Sequence, residues 1–471
     1  MAKSSVTPLL VLDGESEEIT SSLLPEDIIV DILSRLPIKS ILQFRCVCKH
    51  WYSNLLRDPS LVKIYIKNSI ESDKFNVFSI KDGREFSMLI RKPSSSLTTF
   101  EDDSFEPMNV IDLPFKSQLV RNPNLWIHTH GSCNGLILMK RYIVGVGYAQ
   151  DINPILWNPT TKEFKEIVID KDVDYGQQYD PSTIKPNYGL GYNCDTNDYK
   201  IVKVELVYSS HNLLVCVGSG VQVYSLGSNS WKTLPGTVPY EILHHDNEFV
   251  NGALHWIANT CPVSTTGPLS ILIVSFDIRG EIFREVPLTV QVGELFSYFW
   301  ATLGVLGGCL CVVFCGYFEF EVWVMKDRDV GESWTKLFVA QHPVKRPRLC
   351  SMKLQWEFQN GKLLFTAESV NGKDIYFVIY DSVSHKCEVH DTYRIPGNNY
   401  CTKTYVESLV PISGTYAGRE QDDPILQKQA VSKYLKDVDL SYAAVTSLVV
   451  CSFVAVIFLV MHLSSLLMHL F

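Results

Sequence analysis

Three groups of residues have the types and spacing for chemistry. His128, His130 and Cys133 fall within one short run, and imidazole nitrogen and thiolate sulfur are the usual donors to a metal such as zinc. No second cluster at zinc spacing accompanies them, so no metal is expected. His244, His245 and Asp246 are the densest acid–base run in the chain. General acid–base catalysis would need such groups to converge on a substrate, whereas this stretch reads as a solvated turn. Cys309, Cys311 and Cys315 share the parity of one strand face, which predicts buried thiols. A Gly-x-Ser-x-Gly elbow, a phosphate-cradling glycine loop and a His-Glu-x-x-His helix are all absent from the sequence. No catalytic residue and no cofactor is expected.

The elements that carry these residues begin with a compact helical stretch, Leu23 to Trp51. Pro25 suits a first helical turn, where its missing N–H would have no partner. Glu26 and Asp27 put negative charge at the positive end of the helix dipole. Ile28, Ile29, Ile32, Leu33 and Leu36 recur at steps of three and four, and Pro37 stops the helix. A second helix carries Ile41, Leu42, Phe44 and Val47, and a further turn or two carries Cys48, Trp51 and Tyr52 before Asp58–Pro59. So small a unit cannot bury that much apolar surface alone, and the surplus is expected to meet a partner or the rest of the chain.

Leu24–Pro25, Ile32–Leu33, Leu36–Pro37 and Val47–Cys48-Lys49-x-Trp51 resemble an F-box, expected over residues 21–66. The resemblance implies docking on the Skp adaptor of a cullin–RING ubiquitin ligase. The residues it implies at that contact are Leu24, Pro25, Ile28, Ile32, Leu33, Leu36, Pro37, Leu42, Val47, Cys48 and Trp51.

The chain has 471 residues, which predicts two or three domains. A 46% hydrophobic share is that of a folded protein, and the net charge of −9 with no basic stripe beyond Lys345–Arg348 argues against nucleic acid. Thirteen scattered cysteines do not make a disulfide framework. Residues 1–20, with one lysine, a short apolar run broken by Pro8 and an acidic patch, are no secretory signal and are expected to be disordered.

From about 70 to 411 the helical period gives way to short runs of Val, Ile, Tyr, Phe and Trp between polar turns. An aromatic residue, a turn and a bulky residue seven positions on recur as Trp157–Phe164, Tyr224–Trp231, Phe276–Phe283 and Tyr380–Cys387. A stretched version runs from Trp323 to Trp334. The second members are 67, 52, 51 and 53 residues apart, and a period near fifty in an all-β region marks propeller blades. About six blades are expected, seven being the alternative. The aromatic pairs are read as blade core. Asn134–Gly135, Asn251–Gly252 and Asn360–Gly361 signal tight hairpins. A hairpin over 75–90 opens the ring, and Tyr405–Val410 is expected to close it. Long segments 170–187, 208–220, 258–270 and 288–302 are the candidate rim loops for a ligand.

WNPTTKEF, YGLGYNCDTNDYKIV, FVNGALHWIA and YVESLV resemble the F-box-associated domain of plant F-box/kelch-repeat proteins. Only Gly307–Gly308 supplies the glycine doublet of true kelch repeats. The resemblance implies a target-recognition subunit of an SCF-type ligase: the F-box takes the Skp adaptor and through it the cullin, and the propeller rim takes a target protein. A propeller enzyme would need His, Asp or Glu converging at the axis. A membrane-tethered scaffold acting outside the ligase is a further alternative.

Residues 412–440 read as a linker, and 441–471 contain no Asp, Glu, Lys or Arg. Ala443–Met461 is long enough to cross a bilayer, whose core of roughly 30 Å needs about 20 apolar residues. Such a hydrophobic helix predicts a C-terminal anchor on the cytoplasmic face of a membrane, by default the endoplasmic reticulum. Without insertion the protein belongs to cytoplasm and nucleus.

Overall fold

The computed structural model describes residues 26–44, 59–81, 85–91, 105–108, 118, 121–145, 149–169, 184–208, 216–235, 240–243, 246–260, 272–288, 298–326, 333–343, 349–369, 374–396 and 400–412. The chain divides into two units, 1–33 with 419–471 and 34–418, and each is taken by itself. Helix α1 (Glu26–Arg35) lies mostly in the first. In the second, α2 (Ile38–Phe44) starts where the Pro37 carbonyl accepts the amides of Ser40 and Ile41 at 2.9 and 3.2 Å. Helix α3 (Pro59–Glu71) runs past the expected F-box boundary at 66. It buries Leu61, Val62, Tyr65 and Ser69, one stripe at helical spacing.

The strands that follow form six antiparallel sheets among the described residues. The first takes β1 (Asn76–Lys81), β2 (Glu85–Arg91) and β3 (Phe105–Met108). The second is β4 (Leu125–Cys133), β5 (Leu136–Val144), β6 (Ala149–Trp157) and β7 (Phe164–Glu166). The third is β8 (Ile184–Asn193), β9 (Asp198–Tyr208), β10 (Cys216–Ser225) and β11 (Ser230–Thr233). In the fourth, β12 (Tyr240–Ile242) and β13 (Glu248–Val250) both pair with β14 (Ala253–Thr260), followed by β15 (Leu272–Asp277) and β16 (Ile282–Val286). The fifth is β17 (Tyr298–Leu306), β18 (Cys309–Gly316), β19 (Glu319–Met325) and β20 (Trp334–Gln341). The sixth is β21 (Leu349–Glu357), β22 (Lys362–Ser369), β23 (Asp374–Asp381) and β24 (Lys386–Pro396). Strand β25 (Tyr400–Tyr405) returns to pair with β1, Asn76 opposite Tyr405 and Lys81 opposite Tyr400. That pairing closes the ring and hides two sheet edges that would otherwise be open.

The closing strand corrects the sequence expectation by one segment. Residues after Tyr405 are not a strand. Val406, Leu409, Val410 and Ile412 are buried, and the side-chain amide of Asn158 donates to the carbonyls of Ser408 and Val410 at 3.1 and 2.8 Å. The terminal segment is held by a turn of the second sheet.

The seven-residue spacing is a register rule. Trp157 faces Phe164, Tyr224 faces Trp231, Phe276 faces Phe283 and Tyr380 faces Cys387 across the last two strands of their sheets. Three of the turns between them open in the same way, the Oδ1 atoms of Asn158, Asp277 and Asp381 accepting backbone amides two and three residues on. In every one, the residue two before the second member has positive φ: Lys162, Asn229, Glu281 and His385 at 53–62°. The Tyr224 hydroxyl donates to Asn229 at 2.6 Å and Tyr380 bonds His385 at 2.9 Å, so a tyrosine at the start clasps the turn five residues on.

Three expectations, two of them on these aromatics, change. Trp334 stands opposite Met325, while Trp323 faces Lys336, whose ammonium lies 5.0 Å from its ring centre. Trp231 is half-buried rather than core and donates its indole N–H to the Val168 carbonyl at 2.7 Å. Asn360 does not share the positive φ of Gly361, so that hairpin turns through a longer loop than Asn134–Gly135 or Asn251–Gly252. Gly189 and Gly191 in β8 have a packing reason: a Cβ there would lie 2.7 Å from Trp256 and from Ile278 of the fourth sheet.

Candidate functional site

Among the residues expected at an adaptor contact, α1 exposes Ile28 and Ile32, at 46 and 44%, one turn apart on one face. Leu33 is 2% exposed, Leu36 and Leu42 are half-buried and Pro37 is exposed. Leu24, Pro25, Val47, Cys48 and Trp51 lie outside the described residues.

Helices α2 and α3 are joined firmly to the sheets. Burial, and next the charge of Glu407, push the Tyr65 hydroxyl up to about 12. Burial also raises the Glu407 carboxyl, against the pull of Lys39. At the end of α3, Asp73 turns the chain with a φ of 51° and accepts the Trp356 indole N–H at 3.1 Å and the Gln359 amide at 3.0 Å. Phe75 stacks on Trp356 with centroids 4.3 Å apart. A groove of about 410 Å³ between α3 and the turns at Asn134 and 192–199 is lined by Val62, Ile66, Ile70, Tyr192 and Tyr199.

These contacts fix which end of the sheets α3 covers. In a four-stranded antiparallel sheet counted outward from the axis, the first and third turns share one end. The second turn and the link to the next sheet share the other. Helix α3 meets first turns, at Asn134 and Gln359. The segments 170–183, 209–215, 261–271 and 289–297 lie outside the described residues, and the described strand ends that flank them, at second-turn and link positions, all lie at the opposite end. The remainder of the expected rim segments, 184–187, 216–220, 258–260 and 298–302, is strand. Tyr317 and Phe318, exposed at 46 and 72% in the second turn of the fifth sheet, lie at that opposite end.

The chemically suggestive residues have structural occupations. His128 bonds the Tyr142 hydroxyl at 3.0 Å, and burial followed by Lys140 holds its imidazole below the usual range. His130 is buried and its Nδ1 accepts the Tyr188 amide at 3.3 Å. Burial pushes the thiols of Cys133 and Cys311 far up, which disfavours the thiolate a metal needs. Cys311 and Cys315 sit in the core between the fifth and sixth sheets. Among the described residues no group of three His, Cys, Asp or Glu could hold a metal.

Asp246 differs most from its reading as a solvated turn residue. Its carboxylate lies 2.9 Å from Lys353 and 3.5 Å from Lys403, and Glu248 lies 3.3 and 3.1 Å from the same two ammonium groups. Desolvation pushes the Asp246 carboxyl up, but the two lysines outweigh it and hold it well below the carboxylate range. His244 and His245 are outside the described residues. No signal in the sequence pairs Asp246 with lysines more than a hundred positions away.

The profile described as the F-box associated beta propeller domain matches residues 62–412, and the F-box domain profile matches 21–63. The chain belongs to the plant F-box proteins with this propeller. This F-box protein is 26% identical to the F-box protein CPR1 of Arabidopsis thaliana over 82% of its own length and 88% of that protein. It is 26% identical to the F-box/kelch-repeat protein At3g23880 over 77 and 92% of the two chains. With the F-box protein At3g07870 it shares 30% over 66 and 71%, both again from Arabidopsis thaliana. A putative 6-phosphogluconolactonase from Bacteroides fragilis aligns over 71% of this chain and 99% of its own at 8% identity with a TM-score of 0.34, too loose to carry an argument.

The expected membrane span at 443–461 of this F-box protein lies outside the described residues. Among the described residues no helix is long and apolar enough to cross a membrane.

Proposed function

We propose that the protein is the target-recognition subunit of an SCF-type cullin–RING ubiquitin ligase and has no active site of its own. The F-box takes the Skp adaptor through Leu24, Pro25, Ile28, Ile32, Leu33, Leu36, Pro37, Leu42, Val47, Cys48 and Trp51, and the propeller takes a target protein. The observation that carries this reading is the exposed Ile28–Ile32 pair on a helix inside the matched F-box segment. Two large aliphatic side chains held open on so short a helix suit burial by a partner. Target binding belongs to the end of the sheets away from α3, where the segments of unequal length leave the strands. Catalysis by such a subunit is proximity: target lysines are held at high local concentration near ubiquitin carried by other subunits.

The test is affinity purification of the full chain, of Leu24→Ala/Pro25→Ala and of Ile28→Ala/Ile32→Ala. Buried anchors at an interface cost about 2–4 kcal/mol each when truncated, so both variants are expected to lose the adaptor and keep the propeller folded. Undiminished adaptor recovery by both would refute the reading.

The charge-free stretch 443–461 supports the addition of a membrane tether with the F-box on the cytoplasmic side. A glycosylation acceptor appended after Phe471 tests it: modification and resistance to alkaline carbonate are expected, and an unmodified, fully extractable protein would remove the tether.

A further inference from the structure

The closing strand is held by more than its pairing with β1. Strand β25 belongs to the first sheet and β13 to the fourth, which stand three places apart in either direction round the ring. They are nonetheless bonded to each other. The Lys403 ammonium of β25 donates to the Asn247 carbonyl at 3.0 Å and to Glu248 at 3.1 Å. Lys353 of β21, in the sixth sheet, reaches Asp246 at 2.9 Å and Glu248 at 3.3 Å. The Asn247 side-chain amide donates to the Tyr188 carbonyl of β8 at 2.8 Å and to the His130 carbonyl of β4. Lys353, Lys403 and Asn247 are 7, 3 and 2% exposed.

We propose that residues 246–248 form a strap across the inside of the propeller that locks the ring shut by tying the ring-closing strand β25 to the inner strands of the second, third, fourth and sixth sheets. Its two carboxylates, partly open to solvent, balance the charge of the two buried ammonium groups, which could not stay buried unpaired, and the Asn247 side chain satisfies two inner-strand carbonyls. Strand β25 also bonds its neighbours β4 and β21 directly, the Ser132 hydroxyl donating to the Thr404 carbonyl at 2.8 Å and the Thr404 hydroxyl to Gln355 at 2.9 Å, so without the strap its release would disturb only those adjoining sheets and β1. With it, release of β25 requires inner strands of other sheets to give up bonds in the same step, so the ring opens as a unit.

Hydrogen–deuterium exchange on the full chain tests this with Lys403→Met and the gentler Glu248→Gln, which keeps the size and an acceptor oxygen but loses the charge. Removing a charge-assisted bond is expected to speed exchange about ten- to a hundredfold. The acceleration should appear together in 400–405, in 246–250 and in the inner strands at 349–357, although the last two are remote from the closing pair in sequence. If Lys403→Met fails to fold, the joint acceleration in Glu248→Gln decides. Faster exchange confined to 400–405 and its partner 76–81, or none in Glu248→Gln, would overturn the strap.

Discussion

The turns at the outer edge of the sheets and the strands around the axis are stabilised in different ways. The outer turns are closed mainly by near neighbours: an Asx side chain bonding amides two and three ahead in three of the four, a residue of positive φ in all four, a tyrosine clasping the residue five on in two. These bonds span few positions, so the chain forms them at small entropic cost and can repeat them with changed residues. Around the axis the bonds join strands far apart in the sequence. β17 meets β21 through the Thr302 hydroxyl and the Met352 carbonyl at 2.6 Å, β4 meets β25 through the Ser132 hydroxyl and the Thr404 carbonyl at 2.8 Å, and 246–248 meets the first and sixth sheets through charges and the second and third through the Asn247 side-chain amide. Local closure gives the repeat its period; long-range closure gives the ring its integrity.

The two outer tryptophans put that contrast under the largest load. Trp334, 6% exposed and packed between the fourth and fifth sheets, is expected to cost about 3–5 kcal/mol on change to alanine. Trp231, half-buried at the same repeat position, is expected to cost about 1–2 kcal/mol. Urea denaturation compares them, and equal losses would mean that repeat position rather than burial sets the energy.

Asn158 and Asp381 sharpen the contrast, because they open equivalent turns. Asn158 also holds the terminal segment, so Asn158→Ala leaves buried carbonyls unpartnered and is expected to cost about 2–3 kcal/mol. Asp381→Ala loses only a turn and is expected to cost about 1 kcal/mol, as a helix cap does. Thermal melts of the pair would show a purely local role for Asn158 if their losses match.

The pH dependence separates the axis from the turns. Asp246 is held down, so the unfolded chain binds its proton first as pH falls through about 4, and the stability from that carboxylate is lost on the acid side. Lys403 is held up: burial lowers it, but Glu248 and Asp246 together outweigh burial. Its contribution is therefore complete below about pH 10 and lost as pH rises beyond. The stability gap between the wild-type chain and Lys403→Met is expected to stay level from about pH 5 to 9 and to narrow below. A gap that changes through neutrality would assign the effect to other groups.

The smallest effect lies in the turns. Lys162 holds a φ of 62°, a conformation that costs an L-residue about 1 kcal/mol. Lys162→Gly relieves that strain at some cost in chain entropy, and a gain of about 0.5 kcal/mol or less is expected in chemical denaturation. A clear loss would show that the lysine side chain, not the backbone, shapes the turn.

What the sequence by itself determined follows from this division. The F-box phrase, the aromatic spacing of seven and the Asn-Gly turns are relations between near neighbours, and near neighbours show in a string. The pairing of Trp157 with Phe164 was therefore legible, and so was the period of about fifty that predicts a propeller. The tertiary structure alone decided which strand closes the ring, since the segment after Tyr405 is the more apolar of the two and yet it is Tyr400–Tyr405 that pairs with Asn76–Lys81. It alone made Trp231 a partly open side chain and Trp334 a buried one, because burial depends on the adjoining sheet. It alone turned Asp246 from a polar turn residue into part of a cross-axis cluster. Asp246, Lys353 and Lys403 are far apart along the chain, and their attraction acts through space only after the ring has brought them within 3.5 Å.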